Sequence, residues 1–384
     1  MTSAILVYSV AGGLAMAVPG GGSPTRGWAG LRFMAGLALL CLILYLANPV
    51  LRLPVSVGAW SAVAAAGCGL ALAARRIARA REVEFGLLAH PVVVLPVGLL
   101  AILAVHGPID YLPVSWDEFS NWLGWSRQIF VTDSHWTPSM SIGQVGYTPG
   151  WALLMAFPNI VLGSFREVHS ASVQFLLHVG VLGLVFDLLR DRLRDGGAGP
   201  RLATGLAWLF VLAVLGVEAT WKLHPTLQLI EKPQIYAMAA VLLTALAGGT
   251  AGADRDRLAA MIGLFLAFGY LLKMAMLTFV PAAALLAMTL HGEGRRGVAG
   301  LGLRLALALT PVVLAALSWR MASPETGGCM SNPLKLLSVG DPAALAPASC
   351  VSVKISLYAP SAAGAASFDY VSVRQVQTTW AVLT

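Results

Sequence analysis

The chain has 384 residues, 58% of them hydrophobic and 11% charged, with a formal net charge of +7 and a mean hydropathy of +0.77. Soluble domains run at roughly 45–50% apolar residues, so the composition excludes an ordinary soluble domain and points to an integral membrane protein. The apolar runs far exceed the ~10 residues of a barrel strand, and backbone polar groups in lipid must be paired internally. The expected fold is therefore all-α, a polytopic transmembrane bundle of about 9–11 membrane helices with short interfacial helices in one extracytoplasmic loop. The positive charge falls in short Arg-rich loops, which reads as a topology signal and not as a nucleic-acid surface. Four cysteines without a CxxC pair exclude a disulfide scaffold and a CxxC-type zinc or redox site. Cys41 and Cys68 lie inside apolar runs and read as packing residues.

In chain order, residues 4–18 form a short apolar run, a first span or part of a signal-like segment. Runs at 33–51 and 56–74 follow, and the second stops at the basic cluster Arg75, Arg76, Arg79 and Arg81. The positive-inside rule places that cluster in the cytoplasm. The run at 86–106 then crosses outward, which puts the loop 107–150 on the extracytoplasmic side. The next basic cluster, Arg190, Arg192, Arg194 and Arg201, is again cytoplasmic by the same rule, so only one net crossing separates it from the loop. Residues 168–189 are long enough to span, whereas 151–164 are short and contain Pro158. The spacing predicts that 151–164 is a re-entrant or tilted helix returning to the outer side, with Gly163 there.

Residues 203–220 then cross outward and 233–250 cross back. The stretch 258–290 is too long for one span and carries Lys273 near its middle, which predicts two helices meeting at Lys273 on the outer face. Residues 298–320 cross outward again, and 321–384 begin outside as an extracytoplasmic segment with the appearance of a truncated end. Cys329 and Cys350 both fall there, where an oxidising compartment would allow a bridge. By character the chain divides into additional N-terminal helices (1–85), a membrane module (86–320) and the C-terminal segment (321–384).

Four polar features converge on the predicted outer face. Asp117 and Glu118 are adjacent carboxylates between Trp116 and Trp122. A carboxylate beside a bound acceptor can act as general base; acidic residues in a helix's first turn, capped by Ser115, would also fit the dipole. Glu231 and Lys232 open a span and follow Trp221, Lys222 and His224. These groups can orient a phosphate, or form an interfacial salt bridge with snorkelling lysines. Lys273 lies in an apolar stretch, where a charge is costly and marks function by default; a lysine snorkelling at a hairpin turn is the alternative. Tyr147-Thr-Pro-Gly-Trp151 reads as the shaped entry to the following short helix, with Tyr147 and Trp151 as interfacial anchors. The histidines lack HExxH spacing, so zinc is not expected. A divalent ion (Mg2+ or Mn2+) held by Asp117 and Glu231 is compatible with the residues but not required by them.

This order of features resembles the GT-C superfamily of membrane glycosyltransferases, which includes the protein O-mannosyltransferases and the lipid A aminoarabinose transferase. The resemblance covers roughly residues 86–290 and rests on Trp116-Asp117-Glu118, Tyr147-Thr-Pro-Gly, Phe165-Arg166, Glu231-Lys-Pro and Leu272-Lys273. It implies sugar transfer, usually with inversion, from a polyprenyl-phosphate donor to a glycan, lipid or protein acceptor. The active site would face outward from a multi-pass protein of the plasma (inner) membrane. By resemblance Asp117 is the base or acceptor-orienting residue, Glu118 its companion acid, and Arg166 structural. Lys273 contacts donor phosphate, with Glu231, Lys232, His224 and Tyr147 around it. Leu272 stands where members carry threonine, Glu231 where many carry aspartate, and Thr148 where Tyr-Pro-Pro is commoner. A lipid-linked-substrate transporter and a non-catalytic subunit of a polysaccharide-assembly complex are the other readings of these charges.

Overall fold

The computed structural model describes residues 2–17, 28–80, 88–107, 118–136, 147–220, 231–248, 254–289 and 297–322. Asp117, His224, Cys329 and Cys350 lie outside these residues, as does the segment 323–384. Among the described residues the structure is helical without strands. The helices are α1 (Thr2–Ala17), α2 (Ala29–Tyr45), α3 (Val55–Ala80), α4 (Pro91–His106), α5 (Leu123–Thr132) and α6 (Gly150–Leu162). They continue with α7 (Glu167–Asp195), α8 (Pro200–Thr220), α9 (Glu231–Ala247), α10 (Arg255–Leu272), α11 (Val280–Thr289) and α12 (Gly297–Ala322). π-Helical turns at Leu46–Val50 and Glu118–Trp122 precede α3 and α5, and a 3-10 turn, Met274–Phe279, joins α10 to α11. Within the described residues a helix forms in each apolar run predicted from sequence, and the break at Lys273 is where 258–290 required one.

Among the described residues, five helical stretches are long and apolar enough to cross a membrane: Ala29–Val50, Val55–Arg75, Glu167–Asp195, Pro200–Glu218 and Gly300–Met321. Four apolar helices are shorter, among them Gly150–Leu162. At 1.5 Å per residue α6 is only ~20 Å long, short of a ~30 Å hydrocarbon layer, whereas α7 reaches ~43 Å. Most buried apolar residues form one core in which α2, α6, α7 and α10 are the most enclosed, with every residue from Gly150 to Asn159 buried, and a small second cluster (Leu182, Phe186, Ala207 and Val211) joins α7 to α8. In packing, the N-terminal helices are continuous with the rest: α2 lies against α6, α7 and α10.

Two polar clusters fix the bundle at opposite ends of α2. At its start the Gly30 amide donates to Asp187 Oδ2 (2.9 Å), and Asp187 Oδ1 lies 3.0 Å from His90 Nε2 and 3.3 Å from Arg190 Nη2. Trp28 Nε1 donates to Asp191 Oδ2 at 2.6 Å. A Cβ on Gly30 would collide with the backbone at Gly183 and Leu184, so only glycine admits this approach of α2 to α7. Asp187 is fully buried, and removing one member of such a network leaves an uncompensated charge at a cost of about 3–5 kcal/mol.

At the far end of α2, the loop after α5 is bound to the start of α3. Asp133 accepts from the Ser56 amide (2.7 Å) and hydroxyl, and its carbonyl accepts from Val55 N–H (3.0 Å), so Asp133 caps α3 from a distant segment. Asn48 Oδ1 accepts from the His135 amide at 2.8 Å and lies 2.6 Å from His135 Nδ1. Because an amide oxygen only accepts, that ring nitrogen carries the proton. Trp125 Nε1 donates to the His135 carbonyl at 2.7 Å.

Burial, helped by the charge of Arg52, holds His135 down from 6.5 to about 4. The folded protein thus keeps His135 neutral where the unfolded chain would protonate, and stability falls as pH drops from about 6.5 toward 4. Full protonation costs about 3 kcal/mol. The melting temperature in detergent should fall between pH 7 and pH 4.5, with a shallower fall in His135→Gln; equal slopes would remove His135 as the cause.

Candidate functional site

The site is built where α10 stops. Lys273 leaves the helix in an extended conformation (φ −152°, ψ 126°), while its N–H still donates to the Gly269 carbonyl at 2.9 Å. Helix ends leave carbonyls without intrahelical donors. Here the Thr148 hydroxyl takes the Tyr270 carbonyl at 3.0 Å, and the start of α6 presses against Leu271. A Cβ at Gly150 would meet the Leu271 carbonyl, so the glycine is what lets the two helix ends meet. The Tyr147-Thr-Pro-Gly motif therefore acts structurally through Thr148 and Gly150. Pro149 opens α6, its carbonyl accepting from Leu153 N–H at 2.8 Å.

The extended backbone at Lys273 carries its ammonium to the start of α9, where Nζ lies 2.9 Å from Glu231 Oε1. Glu231 is 54% exposed and Lys273 20%. A pair this open contributes about 1 kcal/mol or less, so a stronger anion can displace the carboxylate at little cost. Lys232 follows directly and lies in the fields of Glu218 and Glu118.

Glu118 opens the π-helical turn before α5 and is fully buried. Aromatic packing connects this turn to the α6 entry: the Tyr147 ring meets Trp122 edge-on with centroids 5.7 Å apart, and Trp122 stacks near Trp125 at 6.3 Å. Of the candidate residues, Lys273 and Glu231 are joined in an ion pair, and Tyr147 packs between the turn carrying Glu118 and the entry to α6. Asp117 and His224 belong to segments outside the described residues. Arg166 precedes α7, and its amide donates to Asn159 Oδ1 at 2.8 Å, a structural use.

Among the described residues no group of three His, Cys, Asp or Glu is placed to hold a metal ion. The Glu231 carboxylate faces the Lys273 ammonium, and Asp117, the other carboxylate named for a divalent ion, lies outside the described residues.

Local sequence reading passed over a second group of polar residues. His178 Nε2 lies 3.0 Å from Glu218 Oε2, and His178 Nδ1 lies 2.9 Å from the Tyr236 hydroxyl. Gln174, one turn earlier on α7, is fully buried, and neither polar atom of its side chain makes a well-formed hydrogen bond. The available signal was an isolated carboxylate near the end of one apolar run and an i, i+4 Gln–His pair inside another. Both are costly in lipid and functional by default.

No family model, curated protein or solved structure matches this chain. What the site does must be argued from its own groups.

Close approach at Gly150 is directly testable. Gly150→Ala should cost about 1–3 kcal/mol through forced separation of α6 from α10. Gly12→Ala, where a Cβ meets nothing within 4 Å, should leave the melting temperature unchanged or raised. Equal stability of both variants would contradict the close packing.

Proposed function

We propose that this chain is a membrane glycosyltransferase of GT-C type, moving a sugar from a polyprenyl-phosphate donor to an acceptor at the extracytoplasmic face. The supporting observation is the helix break at Lys273, which holds an ammonium beside Glu231 and next to Lys232. A phosphate leaving group needs positive charge where its own charge develops. Lys273 supplies it after the phosphate replaces Glu231, and Lys232 adds a second cation. The acceptor hydroxyl or amine needs a proton acceptor, the role assigned to Asp117, with Glu118 fixed beside it on the buried turn. The lipid tail would lie along the apolar surfaces of the neighbouring helices.

The membrane placement belongs to the same proposal. The ends rich in Arg190, Arg192 and Arg194 face the cytoplasm, and the Lys273 end faces outward. In this frame α6 enters the bundle from the outer side at Gly150 and returns to it at Gly163. It narrows the site without crossing the membrane. Gly163 has φ +67°, which a cysteine side chain would strain, so exposed Ser164 beside it serves as the labelling position. In a background without native cysteines, Ser164→Cys should react with a membrane-impermeant thiol reagent from the extracytoplasmic side. Reaction from the cytoplasm alone would reverse the assignment of α6.

Transfer of labelled sugar from a panel of polyprenyl-phosphate donors tests the activity. Asp117→Asn should lose about 100-fold or more, the scale of a general base. Lys273→Met should lose about 100- to 1000-fold, as for removal of a charge-stabilising donor. Unchanged transfer in both variants would overturn the proposal. Lipid-linked substrate movement that persists in Asp117→Asn would favour a transporter, and intact polymer assembly without transfer would favour a non-catalytic subunit.

A further inference from the structure

The polar residues between α7, α8 and α9 differ from the cluster around Asp187 in one respect. Asp187 is saturated: both carboxylate oxygens are engaged, by His90, Arg190 and the Gly30 amide. That cluster needs no ligand. The group around His178 is buried too, but it retains hydrogen-bonding capacity. The Tyr236 hydroxyl takes up Nδ1 of His178 at 2.9 Å, whereas Nε2 lies 3.0 Å from Glu218 Oε2 without a well-formed hydrogen bond. A phenol has one O–H donor and two acceptor positions, so its single contact with Nδ1 leaves Tyr236 with hydrogen-bonding capacity. Gln174 is fully buried, and neither its amide nitrogen nor its amide oxygen has a well-formed hydrogen bond, although the group offers two N–H donors and two acceptor positions. Buried side-chain atoms of Gln174 and Glu218 Oε2 have no well-formed hydrogen bond of their own.

Leaving such capacity unused is expensive, about 1–3 kcal/mol for each buried group. Replacing a buried ionic group by apolar side chains is often neutral or stabilising, so packing alone gives no reason to keep this one. The position adds a second constraint. Lys232 and Tyr236 are four residues apart on α9 and share a face, so the group lies one helical turn, ~6 Å, from Lys232. Glu218 keeps its side chain 21% exposed, so the group is not sealed inside the bundle. A carboxylate there repels phosphate, yet accepts well from hydroxyls. An amide, a phenol and an imidazole complete a set suited to an uncharged, hydroxyl-rich ligand.

We propose that Gln174, Tyr236 and Glu218, with His178 holding the last two in register, form a subsite for the sugar ring of the donor, one turn from the lysines that receive its phosphate. This rests on the glycosyltransferase reading for the identity of the ligand, and it assigns recognition of the sugar to residues outside the Asp117 loop. Gln174 and Glu218 make the direct contacts; His178 is a positioning residue.

The experiment is equilibrium binding to the full chain in nanodiscs. The probes are sugar-free polyprenyl phosphate and polyprenyl phosphate bearing a hexose, a pentose or an N-acetylhexosamine. Wild type should bind at least one glycosylated probe about tenfold or more tighter than the sugar-free lipid. Glu218→Gln, Tyr236→Phe and Gln174→Met change one functional group each with little change in volume. Each should cut that preference by about tenfold and leave the sugar-free affinity unchanged, whereas Lys273→Met should weaken both. Preference that survives in all three variants overturns the subsite, as does equal loss for both lipids. Sugar preference without transfer activity keeps the subsite and removes the enzyme reading. Transfer activity without any preference removes the subsite and keeps the enzyme.

Discussion

The contact on which the rest depends is the meeting of two helix ends, the start of α6 on the end of α10. A helix that stops inside a bundle exposes carbonyls that need donors, and burial makes an unpaired one costly. Thr148 answers one carbonyl, and Gly150 lets the backbones close on each other. With the end of α10 held this way, the chain can turn extended at Lys273 instead of continuing as helix. Its ammonium then projects to α9 rather than into the apolar core. The aromatic contact from Tyr147 to Trp122 transmits the same fixed point to the turn carrying Glu118. One local packing solution thus positions a cation and an acid that are far apart in sequence.

A second constraint acts at the other surface of the bundle. The long α7 touches the start of α2 through Asp187 and the entry to α4 through His90, so one saturated carboxylate ties three helices. Asp133 on the start of α3, with His135 on Asn48 in the turn after α2, does the same for helix α5. Between these ties, helices such as Pro200–Glu218 and Gly300–Met321 are little buried and keep apolar faces outward, as a lipid solvent would favour. Rigid ties at both ends and apolar surfaces between them are what a site for a lipid-borne substrate would require.

Much of this was legible in the chain because period and length carry it. The apolar stretch 258–290 exceeds one span and holds a lysine, and the helix does break there. The shortness of residues 151–164 and their proline announced a helix too short to cross, and α6 is that helix. The pairings were not legible. Glu231 and Lys273 are 42 positions apart, and Ser56 and Asp133 are 77 apart. Nothing in local propensity records which distant partner completes a charge or a cap. His178, Glu218 and Tyr236 were missed for the same reason: each looks incidental on its own helix, and only three-helix packing joins them. Thr148 was weighed as part of an entry motif, and its use turned out to be a single hydrogen bond to a carbonyl on another helix.

The central claim is that the broken end of α10 is a receptor for a lipid phosphate. A photoreactive polyprenyl phosphate, bound to the full chain in nanodiscs and mapped by peptide sequencing, addresses it most directly. Crosslinks should fall on the starts of α9 and α6 and on the 3-10 turn after Lys273, and Lys273→Met should abolish them while the protein stays folded. Crosslinks that persist in the variant, or that fall at the arginine-rich end of α7, would place the phosphate elsewhere and contradict the role given to Lys273.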